Sequence, residues 1–75
     1  MKLGIYQHFR NKKFYKVLGI AKHSETLEEL VVYEALYENP RSKLWVRPKK
    51  MFLETVEHEG KIVQRFIYVK DQRHE

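Results

Sequence analysis

The chain has 75 residues, with 15 lysines and arginines against 10 aspartates and glutamates, a net charge of +5 and no cysteine. A single domain this short buries only roughly 60–65% of the surface its unfolded form exposes, so a deep substrate cavity is not expected and any site is a groove or surface patch. Disulfides and thiolate metal centres are excluded, no segment approaches the roughly 20 apolar residues of a membrane span, and without a signal-peptide pattern the expected location is the cytoplasm.

Gly4–Phe9 reads as a first strand, with Ile5, Tyr6 and Phe9 as its apolar members, and Asn11-Lys12-Lys13 as the following turn. Phe14–Ala21 reads as a second strand. Strict alternation puts Tyr15, Val17, Gly19 and Ala21 on one face and Phe14, Lys16, Leu18 and Ile20 on the other. A glycine at position 19, inside a strand, predicts a bulge or a close backbone approach.

Lys22–Glu28 is a polar crossing where the charge changes sign. Residues 1–24 carry six bases and no acid, and residues 25–39 carry five acids and no base. Thr26–Glu38 supports two readings. Thr26 with Glu29 matches a capping box, Leu27, Leu30, Val31 and Ala35 would share a helical face, and Asn39-Pro40 would end the helix. Leu30-Val31-Val32-Tyr33 instead favours a strand, with Val31, Tyr33, Ala35 and Tyr37 on one face. The strand is the preferred reading.

Asn39-Pro40-Arg41-Ser42 is a turn and Leu44–Val46 a short strand. Pro48 cannot donate to a sheet ladder, and Pro48–Met51 reads as one helical turn. Phe52–Glu57 is expected as a strand, His58–Lys61 as a hairpin turn with Gly60 at a positive φ, and Ile62–Val69 as a single last strand. Residues 1–69 form the domain and Lys70–Glu75 a solvated polar tail. The expected class is mainly β: a small antiparallel SH3-like barrel or rolled sheet with a helical turn near 48–51. The alternative is α+β, with a helix over 26–38.

Gly4-Ile5-Tyr6, His8-Phe9, Val17-Leu18-Gly19, His23-Ser24-Glu25-Thr26-Leu27-Glu28, Leu30-Val31-Val32-Tyr33, Leu44-Trp45-Val46-Arg47-Pro48 and Met51-Phe52 follow one pattern. The pattern resembles the small bacterial family catalogued as domain of unknown function 1653, over roughly residues 4–68. The resemblance implies a stand-alone β-rich domain. It supplies no substrate, cofactor or catalytic residue.

Two constellations carry candidate chemistry. His23 and Glu25, two apart, share a strand face, and His8 would complete a His/His/carboxylate set for a divalent metal or for base catalysis. No His-Glu-x-x-His spacing supports it, and the plainer reading has Ser24 or Thr26 capping a turn, Glu25 exposed and His23 hydrogen-bonded to backbone. Ser24 lacks a nucleophile elbow, and three glycines at 4, 19 and 60 make no phosphate-cradling loop. The second constellation is stronger. Trp45 and Arg47 share a face, offering a stacking surface and a planar cation, with Tyr6, Tyr15, Tyr33 or Tyr37 as a further wall. The plainer reading makes Trp45 a core residue, with Arg47 covering it or paired with an acid such as Glu25 or Glu28.

The expected function is a non-enzymatic binding module for RNA or single-stranded DNA. Its basic and aromatic face would include Lys12, Lys13, Lys16, Tyr33, Trp45, Arg47 and Lys49, beside the His23 and Glu25 segment. A protein- or peptide-interaction module is the alternative, and a metal or enzymatic site at His8, His23 and Glu25 the minor one. No cofactor is implied.

Overall fold

The computed structural model describes residues 1–71. Its elements in chain order are β1 (Gly4–His8), β2 (Phe14–Lys22), β3 (Glu29–Ala35), β4 (Leu44–Pro48), α1 (Lys49–Phe52), β5 (Thr55–His58), β6 (Lys61–Gln64) and β7 (Phe66–Lys70). Five strands form an antiparallel sheet in the order β4-β3-β2-β1-β7, and β5 with β6 makes a separate hairpin. The class is mainly β, as expected. The large sheet has two free edges, β4 and β7, so it is not a closed barrel, and a rolled sheet is the form consistent with it.

The segment after Thr26 is a strand, and the helical alternative falls. As β3 it buries Val31, Tyr33 and Ala35 on one face. It pairs on both sides, with Tyr33 opposite Val17 and opposite Trp45. Thr26 caps a turn instead of a helix: its Oγ1 accepts from the Glu28 N–H at 3.2 Å.

The bulge predicted in β2 is present, because the pairing with β3 shifts between Val17 and Gly19 and leaves Leu18 as the extra residue. The shift inverts the alternation. Beyond it, Ile20 rather than Gly19 or Ala21 sits on the Tyr15–Val17 face, directly opposite Val31. No close backbone approach accompanies it, since a Cβ at Gly19 would meet nothing within 4 Å.

The C-terminal third differs from expectation in two ways. Phe52 ends α1 rather than starting a strand, and that turn of helix carries its ring into the core at 1% exposure. The helix begins one residue later than expected because Pro48, extended at ψ 136°, closes β4. The expected single strand over 62–69 is broken at Arg65. Its N–H donates to the Glu54 carbonyl and its carbonyl accepts from the Phe9 N–H, both at 3.0 Å. These bonds turn the chain out of the β5–β6 hairpin and into pairing with β1. β7 runs to Lys70, and the expected tail beyond Asp71 lies outside the described residues.

The core is aromatic. Tyr6, Phe9, Tyr15, Tyr33, Phe52 and Phe66 are buried with Val17, Val31 and Ala35. Edge-to-face contacts link Tyr15, Tyr33, Phe52 and Phe66 at centroid distances of 5.4–5.7 Å. A small domain gains from such rings, each of which removes a large apolar area from water.

Candidate ligand-binding cavity

On the face of the sheet that carries Tyr15 and Tyr33, a cavity of about 290 Å³ is lined by His8, Asn11, Tyr15, Tyr33, Asn39, Arg41, Trp45, Arg47 and Phe66. Tyr33 and Trp45 are direct neighbours across β3 and β4, and Arg47 follows two residues on, on the same face. Trp45 is half-buried against the core and its Nε1–H donates to the Ser42 carbonyl at 3.1 Å. The ring thus serves both readings, packing on the core and presenting a wall to the cavity. Arg47 lies over the Phe66 ring, with Cζ 5.6 Å from its centroid, and its Nε reaches the Tyr33 hydroxyl at 3.5 Å. Neither Arg47 nor Arg41 has an ion pair among the described residues, and no acid lines the cavity.

The rim is built by two turns of the same design. Asn11 Oδ1 accepts from the Lys13 N–H at 2.8 Å, and Asn39 Oδ1 accepts from the Arg41 N–H at 3.0 Å. These asparagine turns satisfy local backbone donors. The amide nitrogens then donate to two tyrosine hydroxyls, Asn11 to Tyr15 and Asn39 to Tyr37, each at 3.1 Å. The hydroxyls meet at 2.7 Å. One proton lies between them, which leaves the second hydroxyl proton free to donate elsewhere. Burial, aided by the bond to Tyr37, pushes the Tyr15 hydroxyl up to about 12, so it stays a donor. Lys13 Nζ lies 4.3 Å from the Tyr37 ring centroid, adding positive charge beside the rim.

His8 completes the lining. Its Nδ1 accepts from the Arg10 N–H at 3.1 Å, which places the proton of the neutral ring on Nε2. Burial first, then the charges of Arg47, Arg65 and Arg10, hold its pKa below the ordinary histidine value. The ring therefore acts as a neutral donor in a cationic surrounding.

Of the residues singled out in the sequence, Tyr33, Trp45, Arg47 and His8 converge here. Lys16 does not. It projects from the opposite face of the sheet, paired with Glu34 at 3.9 Å. Lys49 is tied to Glu29 at 3.2 Å, beside Glu28. Lys12 sits in the β1–β2 turn at a φ of 61°. His23 and Glu25 lie in the β2–β3 loop. There the His23 Nδ1 accepts from the Glu25 and Thr26 N–H groups at 3.1 and 3.3 Å, and the backbone closes through His23 and Glu28 at 2.8 Å. His8 and His23 are not brought together, and the described residues contain no group of three metal-ligating side chains. Asn11, Asn39, Arg41 and Phe66 were not singled out as site residues. The two asparagine turns were legible in the sequence as turns, but the hydrogen bonds that join them through the Tyr15 and Tyr37 hydroxyls arise only when β2 and β3 pair.

No described helix is long and apolar enough to cross a membrane. No curated protein matches the chain. The family model described as a protein of unknown function, DUF1653, matches residues 4–68. A crystal structure of a DUF1653 protein from Bordetella bronchiseptica is 32% identical, covering 100% of this chain and 95% of that one with a TM-score of 0.89. A match over nearly the whole sequence, joined to the same fold at that identity, places this chain in the DUF1653 family.

Proposed function

We propose that the protein is a cytoplasmic single-stranded nucleic-acid-binding module, for RNA or single-stranded DNA, with the Trp45–Arg47 cavity as its nucleotide site. The carrying observation is the convergence of Trp45, Tyr33 and two arginines on one cavity, the arginines having no ion pair and the lining no acid among the described residues. Its volume lies at the small end of ligand sites, which suits one nucleotide rather than a large cofactor. Trp45 supplies the stacking wall, while Arg47 and Arg41 supply charge for phosphate. The basic surface is narrower than the sequence implied, because Lys16 and Lys49 are engaged with acids.

Trp45 is the single tryptophan, so its fluorescence reports the site directly. Titration with a mixed-sequence oligonucleotide at about 50 mM salt is expected to quench it saturably, with affinity falling linearly on a log–log salt plot. Trp45→Leu, followed by anisotropy of a labelled strand, is expected to weaken binding roughly 5- to 150-fold, the value of one stacked base. Arg47→Gln should lower the salt slope by about 0.7. No change in fluorescence or anisotropy with any oligonucleotide sinks the proposal.

A second reading has one observation behind it. On the edge strand β4, Leu44 and Val46 are 56% and 60% exposed. That edge suits a peptide added as a further strand, although Pro48 removes one donor. Peptide binding that resists salt and is lost on Val46→Lys, with no nucleic-acid binding, would favour it.

A further inference from the structure

We infer, resting on the nucleic-acid reading above, that the cavity takes a terminal phosphate monoester of a strand rather than an internal phosphodiester. The donors around the cavity outnumber what a diester uses. Arg41 and Arg47 both line it without a carboxylate partner among the described residues. Arg47 has committed only its Nε, to Tyr33, so its terminal nitrogens remain for a ligand. His8 carries its proton on Nε2, because Nδ1 is occupied by the Arg10 N–H. The Tyr15 and Tyr37 hydroxyls use one proton between them and accept from Asn11 and Asn39, so the pair keeps one proton to donate at the cavity rim.

An internal diester carries one charge and two free oxygens. A terminal monoester carries about −1.5 to −2 near pH 7 and offers three acceptor oxygens. Two guanidiniums and two neutral donors, with no acid in the lining among the described residues, match the monoester. Arginine is suited to the role because its planar fork binds phosphate oxygens in pairs. The aromatic walls, Trp45 and Phe66, then place the terminal nucleoside next to the phosphate. Free nucleoside monophosphate shares this chemistry, so the strand and the free nucleotide must be separated by measurement.

The test compares one labelled oligonucleotide sequence bearing a 5′-phosphate, a 3′-phosphate or hydroxyls at both ends, with a nucleoside monophosphate and inorganic phosphate as competitors. The expected result is at least tenfold tighter binding of one phosphorylated strand over the hydroxyl-ended strand. Arg41→Gln is expected to abolish that preference while leaving the melting temperature unchanged, since Arg41 is exposed in a turn and its side chain has no bond among the described residues. Tyr15→Phe should reduce it severalfold. Equal binding of all three strands overturns the terminal-phosphate inference and leaves single-strand binding intact. Binding of the nucleoside monophosphate with no gain from a strand overturns the nucleic-acid reading and keeps the phosphate site. No binding of any of these probes overturns both.

Discussion

Phe52 and Phe66 lie face to face, with ring centroids 4.1 Å apart and planes within 2° of parallel. One ring comes from the single turn of helix and the other from the start of the last strand. Phe66 also lines the ligand cavity and carries Arg47 above it, so the stack is the cavity's foundation.

Phe52→Ala removes a ring that is 1% exposed and leaves a void beneath Phe66. The expected cost is about 3–5 kcal/mol, a large part of the roughly 4–11 kcal/mol available to a chain of this length. Urea unfolding followed by circular dichroism reads it. Ile62→Ala, at a side chain 72% exposed, should change stability by less than about 0.5 kcal/mol. Similar losses for both would contradict the packing described.

His23 is a structural residue on this geometry. Its Nδ1 accepts two backbone N–H groups of the loop. His23→Ala should cost about 1–2 kcal/mol, as for other lost turn and cap acceptors. His23→Asn, whose side-chain oxygen caps such turns, should recover most of it. Neither change should alter ligand affinity. A large loss of binding in a stably folded His23→Ala protein would return this loop to the site.

The two strand glycines should respond oppositely to alanine. At Gly4, with φ +135°, an added Cβ would come within 2.6 Å of the Lys70 carbonyl oxygen, a backbone atom in the β1–β7 seam. Gly4→Ala is therefore expected to destabilise by about 1–3 kcal/mol or more. Gly19→Ala meets open space and is expected to be neutral or stabilising by up to about 1 kcal/mol. Thermal melts of the two variants give the comparison directly.

The lowered pKa of His8 predicts an acid-sensitive fold. Burial and the charges of Arg47, Arg65 and Arg10 disfavour its protonated form. The unfolded chain therefore binds the proton more readily, and stability rises with pH. This contribution is full above the ordinary value of 6.5 and is lost as the pH falls below it, until the folded form protonates too. His8→Asn keeps an acceptor for the Arg10 N–H without titrating. Melting temperatures from pH 7.5 down to 5 should fall more steeply for the parent than for His8→Asn. Parallel curves would remove His8 as the cause.

Much of the fold was legible from local chemistry. Leu30-Val31-Val32-Tyr33 favoured a strand because branched and aromatic residues suit a half-buried pleat, and β3 is that strand. Gly19 marked the bulge and Asn11 and Asn39 marked turns for the same kind of reason, a local backbone preference. The excess of bases and the family pattern over residues 4–68 are likewise written along the chain. What chain order did not contain was partnership. Phe52 and Arg65 sat in runs that alternate like strands, yet the stack on Phe66 and the bonds to Glu54 and Phe9 gave them other roles. The cavity depends on the same step, because Tyr15 and Tyr37, 22 residues apart, meet only when β2 and β3 pair. Side chains adjacent in the chain announce turns and strands through their own dihedral preferences. Which lysine is neutralised, which arginine is left unpaired and which rings face a common space follow from long-range pairing of backbone hydrogen bonds and burial of one sheet face.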